Sequence, residues 1–190
     1  MASDRLSRRA FLAGSGGLLL AGAGDAAAQE GIFMRAEDAP RALFPDASAV
    51  TETTVAATAE LRERVRAVMR RSPSYWEPAY RVFRVVRGAG EPGFVVVVEE
   101  IGKHRPITFA VAVDAGARVV DLVVLAYREA YGGEVREKRF LRQYAGKALG
   151  DPLLPYRDIR NISGATLSVE ATGRAARKAI AILTALGDLR

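Results

Sequence analysis

The sequence predicts a single α+β domain, with one antiparallel sheet and helices packed on it, preceded by a signal peptide. Short runs rich in β-branched residues follow one another between residues 80 and 127, which is typical of strands in a buried or half-buried sheet. Amphipathic helical patterns flank these runs on both sides. The chain contains no internal repeat, and about 160 residues follow the predicted signal, which is enough for one compact core.

The first 28 residues have the order of a twin-arginine signal peptide. Arg8 and Arg9 precede a mildly apolar, glycine-rich run over residues 13–24, and Ala28 ends a stretch of small residues that suits cleavage. The run is too short and too rich in glycine for a good transmembrane helix. We therefore expect a protein of the periplasm or of the outer face of the cytoplasmic membrane, exported by the twin-arginine route. An uncleaved anchor, or a chance pair of arginines, is the alternative.

Residues 29–74 are predicted to form an N-terminal segment with one helix. Residues 29–53 contain two prolines and are predicted to be an irregular entry that docks Leu43 and Phe44 on the core. Residues 54–72 are predicted to be a helix, because apolar residues recur at helical spacing and a proline follows. The apolar positions of this helix are Leu61, Val65, Val68 and Met69.

Residues 75–190 are predicted to form the sheet and the remaining helices. The predicted strands cover residues 80–86, 94–98, 107–113 and 118–127. The last two are joined by a short turn that contains Gly116, which indicates an antiparallel hairpin. Further helices are expected over residues 137–145 and 168–186, and Gly187 is expected to end the second of these.

The composition excludes several classes of site. The chain has no cysteine, so it can form neither a disulfide nor a thiolate metal site, and its single histidine, His104, cannot form a metal cluster or a catalytic triad. The formal net charge is +6, but arginines alternate with acids and no basic block is interleaved with aromatic residues. We therefore expect no nucleic-acid partner. The basic surface suits an acidic redox partner or an anionic lipid, or is simply solvated.

The segment Ile162-Ser163-Gly164-Ala165-Thr166-Leu167-Ser168 is the most informative part of the chain. It places hydroxyl groups and a conformationally free glycine at the entrance to the last predicted helix. The N-terminus of a helix presents free N–H groups and the positive end of its dipole, so this segment is suited to a phosphate. The alternative is an ordinary helix start, with Ser163, Thr166 or Ser168 as the capping residue.

Blocks upstream of this segment make the chain similar to a known family. They occur in a fixed order, and the resemblance covers about residues 75–186. The blocks are Gly102 to Thr108, Val119 to Leu125, Tyr127 to Val135 and Phe140 to Lys147, followed by Ser163-Gly164-Ala165-Thr166. Together they resemble the FMN-binding domain family, which includes subunits of the sodium-pumping quinone reductase and of Rnf-type complexes. They resemble most the periplasmic flavin domain of nitrous-oxide reductase regulators and small exported relatives.

The resemblance implies a role for each block. Thr166 would carry FMN covalently through a phosphoester, made by a separate flavin transferase that uses FAD. Ser163, Gly164 and Ala165, with Leu167 after the threonine, would form the turn around the phosphate. Glu129, Tyr131 and Gly132 match a loop that lies against the flavin, and Lys103 and His104 would donate to the phosphate or the ring carbonyls.

Several of these assignments have alternatives. Glu129 is as well explained by an ion pair with Arg128 or Arg136, and Lys103 and His104 by a solvated loop. The family often has an aspartate where this chain has Arg160, while Asp158 lies two positions further upstream. Either Asp158 takes the place of that aspartate, or the transferase does not accept this version of the site.

These implications converge on an exported flavoprotein that transfers electrons. Its partners would be a quinol-linked membrane protein and a haem or iron–sulfur protein. The alternative is a flavin-binding sensory or regulatory module for a membrane redox complex. Because no acid–base or nucleophile–base pair is visible and no dinucleotide fingerprint is present, an electron carrier is favoured over a stand-alone oxidoreductase.

Overall fold

The structure is a computed structural model that describes residues 31–88 and 90–189, and the predicted signal peptide lies outside them. Residues 31–190 form one compact unit. In chain order the elements are α1 (Ala39–Leu43), β1 (Ala47–Ala56), α2 (Ala59–Met69), β2 (Ala79–Arg87), β3 (Pro92–Ile101), β4 (Pro106–Asp114), β5 (Val119–Ala126), α3 (Lys138–Leu141) and α4 (Thr166–Leu186). Two 3-10 turns, Gly133–Arg136 and Arg142–Tyr144, flank α3.

The five strands form one antiparallel sheet in the order β1-β2-β3-β4-β5, so each strand pairs with its neighbours in the chain. The predicted α+β class is confirmed. Strand β3 is the centre of the sheet, and Val95, Val96 and Val98 of its valine run are buried because both faces of the sheet are covered. Beyond the far edge, Ile32 bridges Ala126, so the entry segment continues the sheet past β5.

The larger core lies between one face of the sheet and the helices α2 and α4. Small residues of α4, such as Ala175 and Ala179, are fully buried and allow this helix to lie close to the strands. Gly173 lies against the loop that precedes this helix, since a Cβ atom there would be 2.2 Å from the carbonyl oxygen of Leu153. Helix α4 therefore runs through the core, and its N-terminus emerges at one end of the sheet.

A smaller core lies on the opposite face and confirms that Leu43 and Phe44 dock there. Phe44 is 1 % exposed, and a Cβ atom added to Gly93 would lie 2.6 Å from the tip of its ring. This close approach explains why β3 has a glycine at that position.

The prediction for the N-terminal segment was wrong in two respects: part of the expected irregular entry forms the short helix α1, and residues 47–56 form a strand. Strand β1 lies at the edge of the sheet and most of its side chains are exposed, so it lacks the apolar alternation by which a half-buried strand is found. The predicted helix over residues 54–72 is shorter, because β1 extends to Ala56. Thr58 caps the helix by accepting the amide hydrogen of Leu61 at 3.2 Å, and Arg70 ends it in a left-handed conformation.

The other elements agree with prediction except in their limits. The predicted strands are confirmed, and each of the first three extends beyond its predicted limits. The helix expected over residues 137–145 is instead the short α3 between two 3-10 turns, and α4 begins at Thr166 rather than at residue 168. Among the described residues, no helix has the length and apolarity needed to cross a membrane.

Candidate functional site

A pocket of about 490 Å³ opens where three loops meet at the N-terminus of α4. One is the turn between β3 and β4, another is the segment that follows β5, and the third is the turn that enters α4. The lining residues are Lys103, His104, Glu129, Ala130, Tyr131, Gly164, Ala165, Thr166, Leu167 and Ser168. Most of the residues that the sequence singled out therefore share one cavity, although they come from three separate parts of the chain.

The start of α4 is not capped by a side chain. Ala165 is the N-cap residue, and no side chain accepts a hydrogen bond from the first turn. Capping by Ser163, Thr166 or Ser168, the alternative left open by the sequence, is therefore wrong. In the described part of the chain, the amides of Thr166, Leu167 and Ser168 have no acceptor, and the first intrahelical bond is that of Val169. These free amides and the helix dipole make the pocket favourable for an anion.

The turn into α4 depends on Gly164. Its φ of +78° is in the left-handed region, which lets the amide of Ala165 bond back to the carbonyl of Ile162 at 3.0 Å. No atom of the described residues outside the turn itself lies within 4 Å of where a Cβ of Gly164 would be, so this side of the turn is open. Ser163 is exposed and does not line the pocket.

Glu129 holds the turn between β3 and β4. Its Oε1 accepts the backbone amide hydrogens of His104 at 2.5 Å and of Arg105 at 2.9 Å. Partial burial raises the pKa of Glu129, but the bonds from these amides lower it by more, so its pKa lies below the ordinary value. The ion pair considered from the sequence is not the arrangement found, because Arg128 lies 4.0 Å from Glu99 and Arg136 donates to the carbonyl of Gly133.

Lys103 and His104 sit at the tip of that turn, with exposed side chains at the pocket wall. Tyr131 and Leu167 form the apolar part of the rim and are 84 % and 46 % exposed. The pocket thus has cationic and hydrogen-bonding groups on one side and large apolar groups at its mouth. This mixture suits a ligand with an anionic group and a planar apolar part.

Two residues that the sequence did not single out for this role, Tyr127 and Ser168, join the loop after β5 to α4. The Tyr127 hydroxyl donates to the carbonyl of Tyr131, and the Ser168 hydroxyl lies 2.9 Å from the Tyr127 oxygen. Burial raises the pKa of Tyr127, so its hydroxyl stays protonated. Gly132 is buried beside this pair with a φ of +85°, behind the pocket rather than in its lining.

Asp158 and Arg160 have different environments. The Asp158 carboxylate accepts from the amide of Leu154 at 3.0 Å and pairs with Lys147 at 2.9 Å. Burial raises the pKa of Asp158, but the Leu154 amide and the Lys147 ammonium lower it by more. Arg160 is exposed and lines a second cleft of about 500 Å³. Asp158 therefore shapes the loop before the Ser163–Thr166 motif and does not line the pocket.

Asn161 is the functional candidate that sequence reasoning missed. Its side-chain amide donates to Thr166 Oγ1 at 2.9 Å and to the Tyr156 hydroxyl at 2.6 Å. It directly precedes the segment 162–168, but nothing in the sequence pattern indicates that this amide turns toward the threonine.

The comparisons with known proteins agree with the geometry. Residues 102–181 match the model of the FMN-binding domain. This range includes all three loops that form the pocket. No curated protein matches the chain.

Proposed function

We propose, from the premise that residues 102–181 belong to the FMN-binding domain family, that this chain is an exported flavoprotein that transfers electrons, with FMN attached to Thr166 through a phosphoester. The single observation that carries the proposal is the pocket itself, where Lys103, His104, Glu129 and Tyr131 meet Thr166 at an uncapped helix N-terminus.

The residues present fit FMN. A cavity of about 490 Å³ lies within the range of small-molecule and cofactor sites, roughly 300–1,000 Å³. The phosphate would lie at the free amides of Leu167 and Ser168, with the Lys103 ammonium adding positive charge. The flavin ring would lie toward Tyr131 and Leu167, the large apolar groups at the mouth.

Attachment at Thr166 uses FAD as the co-reactant. The bond between Thr166 Oγ1 and the FMN phosphorus forms, the P–O bond within the FAD pyrophosphate breaks, AMP leaves, and the hydroxyl proton is released. Thr166 is the first residue of α4 and lines the pocket, so its hydroxyl is accessible to a flavin transferase. The charge of the bound phosphate then lies at the positive end of the helix dipole.

FMN, when bound, supplies one- and two-electron chemistry, while the protein sets its position and surroundings. Glu129 holds the turn that carries Lys103 and His104, and Tyr127 holds the loop that carries Tyr131. Because the rim at Tyr131 is exposed, a cofactor held there would lie near the surface, where a partner could approach. The partners we propose are a quinol-linked membrane protein and a haem or iron–sulfur protein.

Export is supported by the twin-arginine pattern before residue 29. A covalent bond keeps the cofactor on the protein in a compartment where free FMN is dilute. We therefore place the protein in the periplasm or at the outer face of the cytoplasmic membrane.

The mass of the purified protein tests the attachment. Wild type produced with a flavin transferase should gain the mass of FMN minus water, and it should stay yellow after denaturation. Thr166→Val should lack the added mass and keep its fold. Thr184→Val is the matched control, since Thr184 lies at the other end of α4 and its hydroxyl bonds to the carbonyl of Ile180 at 2.9 Å. This variant should be modified as fully as wild type.

Separate results would contradict each part of the proposal. A wild-type chain without the added mass contradicts covalent attachment, and a modified Thr166→Val chain contradicts the assigned residue. A loaded protein that exchanges no electrons with haem or quinol mediators, over a full potentiometric titration, contradicts the electron-transfer role.

A further inference from the structure

We infer that Asn161 is the positioning residue of the Thr166 hydroxyl, and that Tyr156 in turn holds Asn161. The inference rests on the proposed attachment of FMN at Thr166, and it concerns how this chain presents that oxygen to the transferase.

The hydrogen bonds of Asn161 carry the first step. Its Nδ2 donates to Thr166 Oγ1 at 2.9 Å and to the Tyr156 hydroxyl at 2.6 Å, which uses both amide hydrogens. Thr166 Oγ1 is therefore an acceptor on the side of Asn161. Its own hydrogen and its second lone pair remain available toward the pocket, where the new bond to phosphorus would form.

The other threonines within α4 show what Thr166 would do without this partner. Thr172 donates its hydroxyl hydrogen to the carbonyl of Ser168 at 2.8 Å, and Thr184 bonds in the same way to Ile180. Such back-bonding to the preceding turn is a common arrangement for threonine in a helix. At Thr166 the equivalent carbonyl belongs to Ile162 and already accepts the amide of Ala165. Asn161 thus fixes a rotamer that the helix itself does not fix.

Tyr156 contributes the second step. It has a φ of +62° although it is not glycine, and its side chain is 78 % exposed. A left-handed backbone is unfavourable for a residue of this kind and persists only where the surroundings impose it. Here the amide of Tyr156 bonds to the carbonyl of Ile159 at 3.1 Å, so the loop holds the strained residue. The result is a hydroxyl placed at hydrogen-bonding distance from the Asn161 amide.

The position of Asn161 between two clefts gives the third step. It lines the cleft of about 500 Å³ and contacts Thr166, which lines the pocket of about 490 Å³. Its Oδ1 is buried and has no partner among the described residues, so the amide is held through its nitrogen alone. After the phosphoester forms, Thr166 Oγ1 carries no hydrogen and can only accept a hydrogen bond. The Nδ2 donor of Asn161 can therefore stay bonded to it. The Asn161 amide is neither an acid nor a base in this reaction. It therefore acts only by holding the Thr166 hydroxyl in position.

Timed modification tests the inference. Wild type, Asn161→Leu, Asn161→Asp and Tyr156→Phe are incubated with a flavin transferase and FAD, and the mass gain is followed. Misplacing a reacting atom by about 1 Å costs up to about a hundredfold in rate, so we expect both Asn161 variants to be slowed at least about tenfold. Tyr156→Phe should be slowed less, and its effect should vanish in the Asn161→Leu background, because both residues act through one contact. Tyr75→Phe, a tyrosine outside the pocket, is the control and should match wild type.

A second measurement separates positioning from damage to the pocket. In the Thr166→Val background, the Kd for free FMN should change less than about twofold when Asn161→Leu is added, because the positioned hydroxyl is absent. A larger loss of FMN affinity would overturn the inference by making Asn161 a wall of the pocket. Asn161→Leu modified at the wild-type rate would overturn this inference alone. A wild-type chain that gains no mass would overturn the attachment, and this inference with it.

Discussion

Gly132 determines how closely the loop after β5 lies on α4. Its φ is +85°, and an added Cβ would lie 2.8 Å from the Tyr127 hydroxyl oxygen, 2.9 Å from Ser168 Oγ and 3.2 Å from Ala165 Cβ. The contact therefore needs both the backbone freedom of glycine and its lack of a side chain. The same contact sets the distance between Tyr131 and the helix N-terminus.

Gly132→Ala should destabilise the fold more than the equivalent change at Gly146. Gly146 also has a left-handed φ, of +78°, but within the part of the chain that the structure describes no non-neighbouring atom lies within 4 Å of its Cβ position. Gly146→Ala should therefore cost only the backbone strain, about 1 kcal/mol, whereas Gly132→Ala adds an overpacking cost of about 1–3 kcal/mol. Urea denaturation monitored by circular dichroism measures both. Equal losses of unfolding free energy in the two variants would show that the close packing at Gly132 does not contribute to stability.

At the scale of elements, α4 is held to the end of β3 by charges buried in the core. Lys178 is fully buried and lies 2.6 Å from Glu77 Oε2 and 3.6 Å from Glu100 Oε1. Its ammonium also donates to the carbonyls of Tyr75 and Glu99. One turn earlier, Arg174 pairs with Glu100 at 3.1 Å and donates to the carbonyl of Ile101. Because Ile101 directly precedes the turn of Lys103 and His104, this network fixes one wall of the pocket relative to the helix.

Lys178→Met should lower the free energy of unfolding by about 3–5 kcal/mol, because two buried carboxylates lose a cation. Arg35→Gln is the control, since the side chains of the Arg35–Asp38 pair are 71 % and 51 % exposed and an exposed ion pair of this kind contributes little to stability. Chemical denaturation of the two variants gives the comparison. If Lys178→Met cost no more than Arg35→Gln, the buried network would not be what joins α4 to β3.

The elements also show what the sequence could predict. The valine-rich β3 and the alanine-rich α4 are buried, so their composition and periodicity reveal them. Strand β1 escaped prediction because an edge strand with exposed side chains needs no apolar alternation. The start of α4 at Thr166 was also misplaced, since no side chain caps it and a cap is the usual signal of a helix start.

The site also has residues that the sequence predicts and contacts that it does not. Ordered blocks of sequence singled out Lys103, His104, Glu129 and Thr166, and the structure brings them to one pocket. The Tyr127–Ser168 contact spans 41 residues, and no local pattern encodes such a pairing. Asn161 and Thr166 are only five positions apart in the sequence, but the hydrogen bond between them depends on the path of the turn that joins them. The sequence could therefore not predict which side chains pair with one another inside the fold.

At the scale of the whole molecule, the site depends on a scaffold larger than the segment that matches the family. Residues 102–181 contain β4, β5 and most of α4, but no residue of β1, β2 or β3. The region before residue 75 supplies α2 to the larger core and Phe44 to the smaller one. Removing it would take α2 from the larger core and Phe44 from the smaller one, at roughly 25 cal/mol for each Å² of apolar surface exposed.

A chain that begins at residue 75 should therefore fail to fold, whereas one that begins at Gly31 should unfold cooperatively. Circular dichroism, thermal unfolding and limited proteolysis distinguish these outcomes. Phe44→Ala in the longer chain is the finer probe and should cost about 3–5 kcal/mol, since the ring is 1 % exposed. Phe33→Ala is its control, because Phe33 is 51 % exposed and lies under Arg136, so its loss should cost about 1 kcal/mol or less. A cooperative transition in the chain from residue 75 would show that the sheet and α4 suffice to build the pocket. If it does not fold, the N-terminal residues are part of the flavin scaffold, because the pocket loops are positioned only by a sheet covered on both faces.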